Sequence, residues 1–463
     1  MPSHSLSPAV SRFTLLAENG KFVDKTSALV EFLDSDDHPV HFLVRPRRSG
    51  KTTLLRLFRA FFERKDPADQ EQRKKLFVNN KLAITKDDRF EAEFARYSVL
   101  YVDFSNMFSS TMDGLLQDFK NHVSLIAQQL ETSGKFNNRG ELDNSKQLFL
   151  DNVLKKTLDD SEWPTALFRL TTLLNTLSKR LVVVLVDEYD TPTSYAVQHG
   201  YFDDANNFFR KVFSPLLKNN ECILGALVVG VMPVAKAGWF PGVNNLSVFR
   251  LDSERYSTAC MFTGDETERL YNQEVALRGD GNPLSFSFEE LKGWYNGYYT
   301  FDGIRLYNPW SIASAFSKGK LGPYWVKSGY DRMIEQRIYY MLDNIASFRE
   351  QVAGLSGPGE GVEIEIEPKM SYHSIPEMTK TQLWTLIYFA GYLTKLPRDH
   401  TPCPADAPDH DSNTESQTYR ANDSNDDSSR DMIELCLPNY EIRSVFDRWL
   451  RNHMKNCISA QER

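Results

Sequence analysis

Residues 41–63, HFLVRPRRSGKTTLLRLFRAFFE, read as an apolar strand, a tight basic loop and an amphipathic helix. The loop closes on Gly50, Lys51 and Thr52, the end of the phosphate-loop pattern G-x-x-x-x-G-K-[ST]. Arg45 stands where that pattern has its first glycine. A loop of this kind needs converging backbone N–H groups, a lysine that reaches the β and γ oxygens of a triphosphate, and a hydroxyl for Mg²⁺. Here Arg47, Arg48, Ser49 and Gly50 supply the amides, Lys51 the cation and Thr52 the hydroxyl, with Thr53 next in the helix. Pro46 biases Arg45 towards extended backbone, so Arg45 continues the strand and the turn begins one residue later. Leu54, Leu57, Phe58, Phe61 and Phe62 share one helical face, while Arg56, Arg59 and Arg64 lie elsewhere. The helix therefore starts where its N-terminal dipole meets phosphate.

A second stretch, LVVVLVDEYD (181–190), completes the constellation. Six apolar residues, Leu181 to Val186, predict a buried strand that delivers Asp187 to its end. A carboxylate there holds the water shell of Mg²⁺, and the following Glu188 is placed to polarise an attacking water. The sequence thus predicts Lys51 and Glu188 as catalytic groups, Thr52 and Asp187 as metal ligands and Arg47 to Thr53 as the nucleotide-binding loop, with ATP and Mg²⁺ as cofactors. Lys51 and Asp187 are 136 positions apart, which leaves room for another strand and several helices. Asp190 and Thr191 either make a supporting contact or turn the chain before Pro192.

Around these motifs apolar runs alternate with helical patterns, the signature of a parallel α/β sheet. Strands are predicted at 40–44, 98–104, 181–187 and 223–231, and helices near 52–64, 112–132, 163–178 and 203–219. The pattern changes after residue 335. VEIEIEP alternates, TKTQLWTLIYFAG makes an apolar helix ending at Gly391, and YEIRSVFDRWLRNHM makes an amphipathic one. Between the last two, GYLTKL and MIELCLP pair as a hairpin interrupted by a disordered acidic insertion at 398–431. The division is a nucleotide domain over 1–335 and a smaller α+β domain over 336–463, winged-helix-like. The aromatic run WYNGYYTF reads as a packed corner with Asn-Gly turns, because no Lys or Arg is interleaved for stacking on bases. FVDKT (22–26) either approaches an adenine base or caps the next helix through Asp24 and Thr26.

Composition narrows the classes. At 463 residues the chain exceeds a single core, and its mean hydropathy of −0.44 suits a globular protein. No run approaches the roughly 18 apolar residues of a membrane helix, and the N-terminus has neither a secretory nor a transit pattern. Five scattered cysteines form no C-x-x-C and no zinc spacing, which fits free thiols in an intracellular setting, cytoplasmic or nuclear. Net charge is −8. The segment 399–431 carries most of it, with nine acids against Arg420 and Arg430, so the totals show no basic face for duplex binding.

With these residues in hand, the sequence resembles the AAA-ATPase-like family of P-loop proteins, whose members often carry a C-terminal PD-(D/E)XK nuclease domain. The resemblance runs through FVDKTSALVEFL (22–33), VRPRRSGKTTLLRLF (44–58), LVDEYDTPT (185–193), VGVMPVAKAGWFPGVNNL (229–246), GWYNGYYTF (293–301), YNPWSI (307–312), LIYFAGYLT (386–394) and LPNYEIRSVF (437–446). It implies a P-loop NTPase fold of the ASCE type, a parallel sheet flanked by helices with a further strand between the two motif strands. It also implies that Arg45 is a family trait. Two departures stand out. Pro233 replaces an arginine usual after the strand ILGALVVGV, although Lys236 matches the family lysine. Only seventeen residues follow Phe446, too few for a nuclease fold, so nuclease activity is not carried over. The expected function is Mg²⁺-dependent ATP binding and hydrolysis that moves the C-terminal domain. Two alternatives stay open: a nucleotide-gated interaction module with little turnover, and an ATP-dependent nucleic-acid-associated protein. An arginine from a neighbouring copy would replace the one missing at Pro233, which keeps a homo-oligomer open beside an unidentified protein partner.

Overall fold

Strands that are apolar throughout require cover on both faces, and the central sheet has it. The computed structural model describes residues 12–35, 39–232, 246–279, 281–325, 329–355, 360–367, 378–396 and 431–461. Five strands, β1 (Val40–Val44), β2 (Ser98–Asp103), β3 (Val182–Asp187), β4 (Ile223–Gly230) and β5 (Leu246–Phe249), form one sheet in the order β2-β3-β4-β1-β5. Every pairing is parallel. Thus β4 lies between the strand that feeds the loop and the strand that ends in Asp187.

Alternate residues of each strand divide between two layers. Val182, Val184 and Val186 join a core with Phe119, Leu170 and Phe209, whereas Val183 and Leu185 join one with Leu54, Leu57, Phe58 and Phe61 of the loop helix. The Lys51–Phe62 helix is therefore anchored by its apolar stripe, which leaves its first turn at the carboxyl edge of the sheet. The four predicted strands and the helices Met112–Thr132 and Phe202–Leu217 lie within two residues of their expected bounds. Expected helix 163–178 opens with a tighter turn, Trp163–Thr165, before Ala166–Ser178. Nothing in the local pattern of LSVF announces β5, which is short, partly exposed and at the sheet edge.

Two smaller antiparallel sheets follow. One is built from β6 (Phe262–Thr263), β7 (Asn296–Tyr299) and β8 (Arg305–Tyr307), with β8 central. The other comprises β9 (Val362–Ile366), β10 (Thr394–Lys395) and β11 (Asp431–Cys436), with β11 between the other two. The hairpin halves thus pair as β10 and β11. The acidic insertion between them lies outside the described residues, except that Asp431 belongs to β11 and not to the insertion. The Lys380–Ala390 helix opens with a reciprocal cap between Thr379 and Gln382 and ends at Gly391, whose φ is 91°.

The aromatic run is a packed corner. Tyr295 and Tyr298 are buried, and their hydroxyls donate to the carbonyls of Gly322 (2.9 Å) and Gly391 (2.8 Å). Between them Gly297 has φ 135°, and a Cβ there would lie 1.6 Å from the Pro438 carbonyl oxygen. Both the backbone angle and the close approach exclude any side chain. Gly297→Ala should therefore destabilise the protein by about 3 kcal/mol or more; thermal denaturation of the variant beside wild type checks this.

Candidate functional site

The loop between β1 and its helix is held from below by the arginine that replaces glycine. Arg45 is 1% exposed. Its N–H donates to the Gly230 carbonyl (3.1 Å), which extends the β1–β4 ladder by one residue as Pro46 requires. Its guanidinium donates to the carbonyls of Val44 (2.9 Å), Phe249 (3.0 Å) and Tyr256. Arg45 therefore ties the base of the loop to the end of β5 and points away from the loop mouth.

Arg48 adopts φ 61° and Gly50 φ 99°, two left-handed residues that curl the loop back over the helix start. Gly50 is needed twice over, since a Cβ would also meet the Cys260 carbonyl oxygen at 2.9 Å. The strain at Arg48, a non-glycine in this region, is of order 1 kcal/mol or more. Side-chain contacts offset it: the guanidinium donates to the carbonyls of Tyr324 and Trp325 (both 2.9 Å) and lies 4.5 Å from the Trp310 ring centre. The Arg47 carbonyl accepts from Asn308 (3.1 Å) and from the Trp325 indole (3.0 Å). Lys51 is buried, and its ammonium donates to the carbonyls of Pro46 (3.0 Å) and Arg45 (3.3 Å). No side chain caps the helix at Gly50, so its first-turn amides stay available to an anion.

Asp187 arrives at this helix start from β3. It is 1% exposed, and the Tyr101 hydroxyl donates to its Oδ2 (3.2 Å), whereas Oδ1 and the buried Ser49 hydroxyl have no bonded partner among the described residues. Burial pushes its carboxyl up to about 6, and the Glu188 charge adds to this; the Thr52 hydroxyl and, more weakly, the Lys51 ammonium oppose it. A buried carboxylate without full pairing costs several kcal/mol. The donor set, a carboxylate oxygen left unbonded beside a hydroxyl, suits a hard divalent cation with oxygen ligands. Thr52, Asp187 and Glu188 all border one cavity of about 490 Å³, together with Arg47, Arg48 and Arg56. Glu188 is in the left-handed region (φ 51°) and accepts from the Thr191 hydroxyl (3.4 Å). Thr53 lines a second cavity beside the first. Each predicted residue from Arg47 to Thr53, and both acids, is thus gathered at the carboxyl edge of the sheet. Pro233 and Lys236 lie outside the described residues.

A family model described as "Predicted AAA-ATPase" matches residues 9–240, half of the sequence. The chain belongs to the AAA-ATPase-like family. Membership suggests ATP binding. This AAA-ATPase-like protein is also 25% identical over 324 residues to an uncharacterized protein in the vnfD 5' region of Azotobacter chroococcum mcd 1, a match covering 69% of this chain and 53% of that one. It therefore spans about half the length of the curated relative it matches. No solved structure matches it.

Some site residues of this AAA-ATPase-like protein escaped the sequence reading. Asp103 ends β2 in register with Asp187 and lines the larger cavity; the apolar run before it, closing on Asp as in β3, was the available signal. Asp190, which the sequence left open, accepts from the amides of Val231 (3.1 Å) and Met232 (2.9 Å) and so fixes the end of β4. Glu441 gave no local signal. It is 1% exposed and accepts from the amides of Tyr324 (2.6 Å) and Trp325 (2.7 Å) and the Ser311 hydroxyl (2.7 Å). These are the two residues whose carbonyls hold Arg48.

Burial pushes Glu441 up to about 7 against its donors and the Arg48 charge. Because the folded state binds the proton more tightly, stability falls as pH rises from about 4.5 through about 7. Wild type should therefore lose up to about 3 kcal/mol relative to Glu441→Gln between pH 5 and pH 8, read by urea denaturation at both pH values.

Proposed function

We propose that this protein binds Mg·ATP at the loop and hydrolyses it, with nucleotide state transmitted to the C-terminal unit. The observation that carries this reading is that Thr52 borders two adjoining cavities, one lined by Lys51 and the other by the partly unbonded Asp187 carboxylate. In this reading the core is of the ASCE type, as the β2-β3-β4-β1-β5 order supports.

The first-turn amides and the Lys51 ammonium hold the β and γ oxygens, and Lys51 exchanges its loop carbonyls for phosphate. Thr52 and Asp187 would hold Mg²⁺, which would neutralise charge on the phosphates. Glu188 orients the attacking water and accepts its proton. Arg47, Arg48 and Arg56 border the same space and favour the negative charge that develops there.

Two contacts support transmission. Gly391, where the Lys380–Ala390 helix ends, is so close to Pro46 of the loop that a Cβ would lie 2.6 Å from the proline ring. Glu441, in the first turn of the Tyr440–Gln461 helix, grips the irregular segment Tyr324–Trp325 that Arg48 also grips. A shift of the loop on ligand binding therefore meets the C-terminal elements directly. We place the nucleotide domain at 1–335 and the α+β unit at 336–463, the boundary falling inside the helix Gly329–Asn344. The order β9-β11-β10, with a helix ahead of the hairpin, supports a winged-helix-like reading of that unit. Among the described residues no helix is long and apolar enough to cross a membrane.

Calorimetry should give heat with Mg·ATP that Lys51→Ala abolishes. Glu188→Gln should keep binding and slow single-turnover phosphate release by about 100-fold or more. Equal, negligible release from both proteins with binding intact would favour the interaction module with little turnover, the reading that Pro233 supports. Release that rises with DNA or RNA in a salt-dependent way would favour the nucleic-acid reading.

A further inference from the structure

Away from the phosphate loop, two helices of the C-terminal unit bring together donors of a different chemistry. Residues four apart share one face of a helix, and two such pairs meet here. Tyr339 and Asp343 belong to the Gly329–Asn344 helix, His453 and Cys457 to the Tyr440–Gln461 helix. The Tyr339 and His453 rings stack, with centres 5.0 Å apart and planes at 29°. This contact orients the imidazole, whose Nε2 lies 3.1 Å from Asp343 Oδ1 and 3.7 Å from Cys457 Sγ. All three donor atoms are within 4.8 Å of one another.

These separations match the edges of one coordination tetrahedron. Zn²⁺ bonds of about 2.0–2.1 Å to nitrogen, about 2.0–2.2 Å to oxygen and about 2.3 Å to sulfur, spread at the tetrahedral angle, put N and O about 3.3 Å apart and N and S about 3.6 Å apart. Hydrogen bonding alone accounts for the cluster less completely. Nε2 carries either one proton or one lone pair. A proton there points at the nearer carboxylate and leaves the sulfur aside, whereas a lone pair faces the carboxylate and repels it. A cation satisfies all three at once.

The place of Asp343 gives an independent reason. It stands in the last turn of its helix, where the macrodipole puts partial negative charge and a carboxylate is unfavourable. A bound cation turns that repulsion into attraction. One thiolate, one imidazole and one carboxylate make a softer set than the oxygens of Thr52 and Asp187, and so favour Zn²⁺ over Mg²⁺. The Asp343 side chain is 56% exposed, which leaves the fourth position to water. Cysteine spacing gave no sign of this cluster, because only one thiol takes part and the carboxylate comes from another helix.

We propose that Asp343, His453 and Cys457 form a Zn²⁺ site that clamps the last helix to the Gly329–Asn344 helix. Binding releases the thiol proton to solvent and uses the neutral imidazole and the ionised carboxylate as ligands. The site stands independently of the nucleotide reading. The helix it fastens is the one whose first turn carries Glu441, so the ion secures the far end of the element that grips Tyr324 and Trp325.

The test uses the full chain, stripped with a chelator and dialysed into excess Mg²⁺ so that oxygen-only sites are filled. Competition with a chromophoric zinc chelator should show Zn²⁺ bound with a Kd of about 1 µM or tighter. Co²⁺ in place of Zn²⁺ should give thiolate-to-metal absorption and the visible bands of a tetrahedral centre. Asp343→Ala, His453→Gln and Cys457→Ser should each weaken Zn²⁺ binding by about 100-fold or more, and Zn²⁺ should raise the Tm of wild type but not of these variants. Circular dichroism checks that the variants fold, and the wild-type Co²⁺ spectrum decides the matter if one does not. No Zn²⁺ binding by wild type, unchanged affinity in the folded variants, loss in Cys457→Ser alone, or a Co²⁺ spectrum without the thiolate band would overturn the site.

Discussion

An incompletely bonded carboxylate at the end of a buried strand is the constraint around which this molecule is arranged. Asp187 is delivered by β3, is buried, and keeps one oxygen without a donor among the described residues. Burying such a group is unfavourable by several kcal/mol unless something else compensates. The surrounding features follow from tolerating it: a hydroxyl at Thr52, a phenol at Tyr101, and an ammonium at Lys51 that damps the charge without pairing with it.

The scaffold that tolerates this strain is assembled from distant parts of the chain. The loop contributes its own curl through Arg48 and Gly50, but the contacts that keep it there come from Asn308, Tyr324 and Trp325. Tyr324 and Trp325 are in turn gripped by Glu441. The loop and the Tyr440–Gln461 helix thus hold the same short peptide from two sides. Few independent motions are available to the loop.

Much of this was legible in the primary structure because the signals were local. Uninterrupted apolar runs specify strands covered on both faces, and the spacing of Leu54, Leu57, Phe58 and Phe61 specifies which side of the loop helix is buried. The pairing of G-K-T with a strand ending in Asp-Glu linked two stretches 136 residues apart that the sheet brings to one edge. What escaped was non-local. β5 is too short and too exposed for its pattern to speak, and Glu441 becomes meaningful only when a segment more than a hundred residues earlier is folded against it. Asp103 shows a middle case: its strand was read, yet its importance depends on register with a neighbour that only the sheet order supplies.

Arg45 has a wider implication. A cation that collects the carbonyls of Val44, Phe249 and Tyr256 replaces flexibility with cross-bracing, because three oxygens that would otherwise need donors are satisfied by one side chain. Replacing Arg45 by glycine would remove three donors from beneath the loop. This loop thus draws its stiffness from a buried guanidinium at the position where the usual pattern relies on the freedom of glycine.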